Sequence, residues 1–158
     1  MHLRSALRVS SIALMLVALA GCGDDDPTGS SDDALTIEDF VGSWTGTSLV
    51  FTNNANPSES VDVIAEGAAA VRFTVLTGGG TRTWVDAGAD SDEWDALVSI
   101  SGNTMTSVPA ESSRPTRTYT FTFVGGVLTL TDTNSEFDFT DTDATPVSAT
   151  EVATFVRN

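Results

Sequence analysis

The stretch TRTYTFTFVGGVLTLTDT, residues 116–133, constrains the fold of this chain more than any other. Tyr119, Phe121 and Phe123 alternate with Thr118, Thr120 and Thr122, the two-residue period of a strand with one buried face. Gly125-Gly126 supplies a two-residue turn whose residues take positive φ. Such a turn pairs Phe123 with Leu128 and Phe121 with Leu130 on one face. On the other face Thr122 meets Thr129 and Thr120 meets Thr131. A slip of one residue would exchange the faces of one strand and mismatch every pair. The segment is therefore predicted to be a β-hairpin with Phe and Leu facing inward.

The rest of the domain repeats this pattern. Val71, Phe73 and Val75 alternate before Gly78-Gly79-Gly80, and Thr81 to Val85 returns. Whether Trp84 or Val85 then faces inward depends on the loop length, which the sequence leaves open. Leu97 to Ile100 turns at Gly102-Asn103 and returns through Met105, and FDFTDTD and TEVATFVRN read as further strands. Helical signals are confined to Thr36-Ile37-Glu38-Asp39, where Thr36 is placed to cap a short turn ending before Gly42. Consecutive hairpins with no crossover helix predict an all-β, antiparallel up-and-down barrel of about 8–10 strands, since closure removes exposed edges. A membrane-spanning barrel is disfavoured. Its strands need ~9–11 residues, and those read here are shorter and interrupted by arginines and loops.

The N-terminus has a different character. Arg4 and Arg8 precede a largely apolar run from Val9 to Ala20, too short to cross ~30 Å of hydrocarbon as a helix. A charged start, a short apolar stretch and small residues at its end describe a secretory signal. Leu19-Ala20-Gly21-Cys22 resembles the bacterial lipobox, and Cys22 is the only cysteine in the chain. The resemblance implies a lipoprotein signal peptide over 1–21, cleavage after Gly21, and a membrane anchor through diacylglyceryl and N-acyl groups on Cys22. One acyl chain binds membranes marginally, whereas two or more anchor stably. Residues 22–35, with Asp24-Asp25-Asp26 and Pro27-Thr28-Gly29-Ser30-Ser31, have the composition of a flexible acidic tether. Gly23 rather than Asp follows Cys22, so the enterobacterial inner-membrane retention signal is absent. The expectation is a bacterial cell-envelope location, at the outer membrane in preference to the inner.

Charge and composition then narrow the chemistry. The chain carries 22 Asp and Glu against seven basic residues, a formal net charge of −15, and every basic residue is arginine. That balance repels nucleic acid and anionic membrane surfaces, so neither is an expected partner. The one histidine, His2, lies in the signal. A mature chain without histidine, lysine or a free thiol cannot build a Ser-His-Asp or Cys-His site, a Schiff base, or an ordinary zinc site. Any catalysis would fall to carboxylates, hydroxyls, arginines or Tyr119, and no carboxylate pair is singled out for glycoside hydrolysis. No enzyme, cofactor or metal is expected.

The acidic segment DAGADSDEWD reads as a solvated loop. As a calcium site it fails the EF-hand spacing, because Asp95 stands where Gly is required and Ser101 where the last ligand is required. Asp138, Asp141 and Asp143 are read in the same way. Arg114 and Arg117, flanking Pro115, form the one local basic cluster. They either meet an anionic head group at a barrel mouth or balance local acids, and balancing is the default.

A final pattern joins the two ends of the domain. EDFVGSWTGTSLVF places Gly42-Ser43-Trp44 just after the helical turn, and Arg157 lies in the last strand. This resembles the lipocalin and calycin pattern, most closely the short lipocalin-like domains of bacterial lipoproteins. The resemblance implies a barrel over 36–158 whose base is closed by Gly42, Trp44 and Arg157. The guanidinium would lie on the indole face, worth ~0.5–2 kcal/mol. The barrel is shorter than a full lipocalin and lacks a large C-terminal helix. An avidin-type pocket would need several tryptophans, and beyond Trp44 only Trp84 and Trp94 remain.

Candidate lining residues for a small hydrophobic or amphipathic, lipid-like ligand are Phe73, Met105, Tyr119, Phe121 and Phe123. Eight-stranded barrels either fill with side chains or hold one small ligand. The sequence leaves two functions: ligand binding inside the barrel, or a structural or protein-interaction lipoprotein with a filled core.

Overall fold

The computed structural model describes residues 34–88, 90–140 and 145–158. The signal segment, Cys22 and the tether up to residue 33 lie outside the described residues, as do Asp141 and Asp143. Among the described residues, no helix is long and apolar enough to cross a membrane.

A single 3-10 turn, Ile37–Phe40, opens the domain. The backbone N–H and hydroxyl of Thr36 both donate to Asp39 Oδ2, at 2.8 and 3.1 Å. Among the described residues nine strands follow: β1 Gly42–Asn53, β2 Ser60–Asp62, β3 Ala70–Val75, β4 Gly80–Ala87, β5 Asp90–Ser101, β6 Thr104–Pro109, β7 Arg117–Val124, β8 Val127–Phe137 and β9 Val147–Arg157. Every pairing is antiparallel, and β1 pairs with both β3 and β9. β1 and β3 to β9 therefore form a closed eight-stranded barrel, and β2 is an extra strand on the later half of β1. The all-β, antiparallel up-and-down barrel expected from the hairpin pattern is the one observed, and it is consistent with the lipocalin-like barrel that the Gly-x-Trp resemblance implies.

The predicted β7–β8 register holds pair for pair, Phe121 with Leu130 and Phe123 with Leu128. Gly125 and Gly126 take φ of 60° and 80°. The β3–β4 loop resolves the open choice. Val75 pairs with Thr81 and Val71 with Val85, so Val85 shares the inward face and Trp84 points outward, where its indole donates to Glu93 at 2.7 Å. Asp62 fastens the β2–β3 connection to β1, accepting from Ser48 Oγ at 2.7 Å and from the N–H groups of Leu49, Ile64 and Ala65.

Three expectations need correction. The acidic loop is a hairpin, with Asp86 in β4 and Asp90 to Asp95 in β5. Its acids are compatible with strand because Arg82 reaches Asp95 at 2.8 Å and Glu93 at 3.3 Å on the outer face. Of FDFTDTD, the described residues 138–140 are not strand, and 141–143 lie outside the described residues. β8 ends at Phe137, and Asp138 accepts from the N–H and hydroxyl of Thr140. Strand length does not argue against a spanning barrel either, since β1 and β5 have 12 residues and β8 and β9 have 11. The distribution of faces does. Thr118, Thr120, Thr122, Arg72 and Arg82 are exposed on the outside, where a spanning barrel carries an apolar band.

The core sits at the end where the chain enters. Phe40, Trp44 and Leu128 are fully buried, with Phe121 and Phe155 nearly so. Phe40 meets Phe121 edge-on at 5.4 Å and Phe123 at 5.2 Å. Trp44 stacks on Phe73 at 5.9 Å.

Candidate functional site

The two ends of the barrel differ chemically, and the difference follows from which side chains each strand turns inward. At the closed end Trp44 Nε1 donates to the Phe40 carbonyl at 2.8 Å. The Arg157 guanidinium lies 4.8 Å from the Trp44 ring centroid and 5.9 Å from that of Phe123, and it donates to the Asp39 carbonyl. Gly42 has φ +136°, a conformation that disfavours side chains, as the chain turns into β1 beside Arg157. Gly42, Trp44 and Arg157 thus meet as the Gly-x-Trp pattern implies.

Above this plug the interior holds a cavity of about 300 Å³. Its apolar wall comes from Leu49, Val71, Phe73, Val75, Val85, Trp94, Val98, Met105, Leu130, Ala153 and Phe155. Of the five residues proposed from the sequence, Phe73, Met105 and Tyr119 line it. Phe121 and Phe123 do not. They face inward as expected, but one and two layers nearer the base, where Phe40 fills the space against them.

The remaining wall is polar. Arg117 Nη1 lies 2.9 Å from Glu151 Oε2 and 3.3 Å from Asp132 Oδ2. Ser135 Oγ donates to the same Glu151 oxygen at 3.0 Å. Asp132 and Glu151 are direct cross-strand partners on β8 and β9, so Arg117 bridges two like charges. Burial works against the Arg117 cation, yet Tyr119 and the two carboxylates hold its pKa above the usual value. At the mouth, Arg114 Nη2 grips Asp92 at 2.6 and 2.7 Å, and its Nε reaches Glu111 at 3.3 Å. Its guanidinium lies 4.5 Å from the Trp94 ring centroid. Both arginines of the basic cluster therefore balance acids.

Trp94, Arg114, Arg117 and Glu151 were not among the candidate lining residues. A signal for three of them exists. Extending the inward alternation back from Phe121 and Tyr119 reaches Arg117, from Phe155 and Ala153 it reaches Glu151, and from Val98 and Ala96 it reaches Trp94. Arg114 lies in the β6–β7 loop, which no periodicity describes. Among the described residues, no three Asp, Glu, His or Cys side chains converge to hold a metal ion.

Tyr119 reports on this environment. Burial first, and then the Glu151 carboxylate, push its pKa up to about 12 from 10.0. It is the one tyrosine in the chain, so the near-ultraviolet phenolate band titrates this group alone. The native protein is expected to show a midpoint near 12, against about 10 after denaturation. The folded pKa is raised, so this contribution to stability is intact below about pH 10 and lost as pH rises towards 12. A native midpoint near 10 would show that the phenol is not enclosed.

These features define a class: a small closed β-barrel with a plugged base and an amphipathic interior. No family model, curated protein or solved structure matches the chain.

Proposed function

We propose that the protein is a non-enzymatic, lipid-anchored envelope lipoprotein whose barrel binds a small apolar or amphipathic molecule. The observation that carries the binding reading is the 300 Å³ interior cavity, with an apolar wall on one side and Arg117, Tyr119 and Glu151 on the other. Its volume lies at the lower end of the ~300–1,000 Å³ typical of ligand pockets, which suits one short-chain molecule. The lipobox-like Leu19-Ala20-Gly21-Cys22 and the acidic tether support anchoring through Cys22 at the outer membrane.

The test uses full-length chain carrying Cys22→Ser and the neutral apolar dye N-phenylnaphthylamine. The dye is expected to brighten on the protein and to lose most of that signal on Val98→Trp, which points a large side chain into the cavity. A dye that stays dark on folded wild-type chain would overturn the binding reading in favour of a structural or protein-interaction lipoprotein. So would brightening unchanged by Val98→Trp.

A further inference from the structure

The polar end of the cavity is built around negative charge. Glu151 lines it, and within the described residues its Oε2 accepts from Arg117 and Ser135 while its Oε1 has no hydrogen-bond partner. Arg117, the cation beside it, already faces both Glu151 and Asp132. Arg114 at the mouth faces both Asp92 and Glu111. Each arginine thus sits in a triad with one carboxylate in excess. The chain adds a field of the same sign, at a formal net charge of −15. Tyr119 contributes a phenol and no positive charge.

A carboxylate entering head-first would stand beside Glu151 with no unengaged cation to receive it. An ammonium group would find Glu151 Oε1 open and would bring the Arg117 triad to neutrality. Its alkyl chain would lie against Val98, Leu130, Ala153 and Phe155. We infer that the barrel selects amphiphiles with a cationic, ammonium-type head and discriminates against fatty-acid carboxylates. This rests on the binding reading above and names its ligand class.

The experiment displaces N-phenylnaphthylamine from full-length Cys22→Ser chain with decylamine, decanol and decanoate, each below its micelle concentration at neutral pH. The three share an alkyl chain and differ in the head. Decylamine is expected to bind tightest and decanoate weakest, with a gap of about tenfold or more, since like charges oppose each other at short range. Glu151→Gln should remove most of that gap, and Asp132→Asn, which neutralises the triad without touching the lining, should do the same. Decanoate binding as tightly as decylamine would overturn the inference and leave the binding reading standing. A gap that persists in the folded variants would also overturn it. A dye that never binds removes both readings at once. Should neither variant fold, the ranking of the three heads on wild-type chain decides.

Discussion

Trp44→Ala is expected to lower the free energy of unfolding by about 3–5 kcal/mol, the usual cost of removing a buried large aromatic side chain. Trp44 is fully buried and stacks on Phe73, and it meets Phe123 edge-on at 5.9 Å. Its loss also leaves the Phe40 carbonyl without its indole donor and Arg157 without the ring beneath it. A graded series separates these contributions. Trp44→Phe restores much of the packing but not the hydrogen bond, so about 1–3 kcal/mol should remain lost. Arg157→Met keeps the indole and removes the cation, giving up ~0.5–2 kcal/mol of cation–π attraction together with the contact to Asp39. Denaturant unfolding followed by far-ultraviolet circular dichroism measures all three, because Trp fluorescence would change with the substitution itself. A loss below about 1 kcal/mol in Trp44→Ala would mean that this plug does not hold the barrel closed.

The parts of this architecture legible in the sequence are those where two local signals coincide. β7–β8 could be read pair by pair because the Gly-Gly turn and the Phe/Thr alternation independently demand one register. The first half of β5 was hidden because Asp92, Glu93 and Asp95 surround Trp94 with charge, and such composition is ordinarily solvated loop. Cross-strand partners make it a strand: Arg82 meets Asp95 on one side of β5, and Trp94 turns to the opposite face.

The difference between lining residues and core residues was not legible at all. Phe121 and Phe123 share a face with Tyr119 and Arg117, so alternation cannot say which of the four border a void. That depends on depth along the barrel axis, and depth is set by Phe40 entering from the 3-10 turn to pack against Phe121 and Phe123. The polar wall was missed for a related reason. Arg and Glu are assigned outward by habit, because isolated charges are expensive to bury. Here pairing replaces solvent, and the alternation that carries Phe121 and Phe155 inward carries Arg117 and Glu151 with them.

That pairing makes Arg117→Met the second large effect. Asp132 and Glu151 face each other across β8 and β9, with side chains 7% and 14% exposed. Removing the cation between them leaves two carboxylates opposed at low exposure, an arrangement more costly than the original pair was favourable. Breaking a fully buried ion pair costs ~3–5 kcal/mol. The Arg117 side chain is 40% exposed, so water screens part of the repulsion, and about 2–4 kcal/mol is expected in chemical denaturation at neutral pH. Adding Glu151→Gln to Arg117→Met should recover part of that loss: the repulsion between carboxylates is gone, while Asp132 stays buried without its cation. Glu151→Gln by itself should cost about 1 kcal/mol, because Arg117 keeps Asp132. The double-mutant cycle therefore predicts strongly non-additive losses. Losses that simply add would mean that the triad is not coupled, and the excess of negative charge at the cavity wall would lose its physical basis. If the triad is coupled, Arg117→Met chain that remains folded should bind decylamine more tightly than wild type, since the ligand's ammonium replaces the missing cation between Asp132 and Glu151.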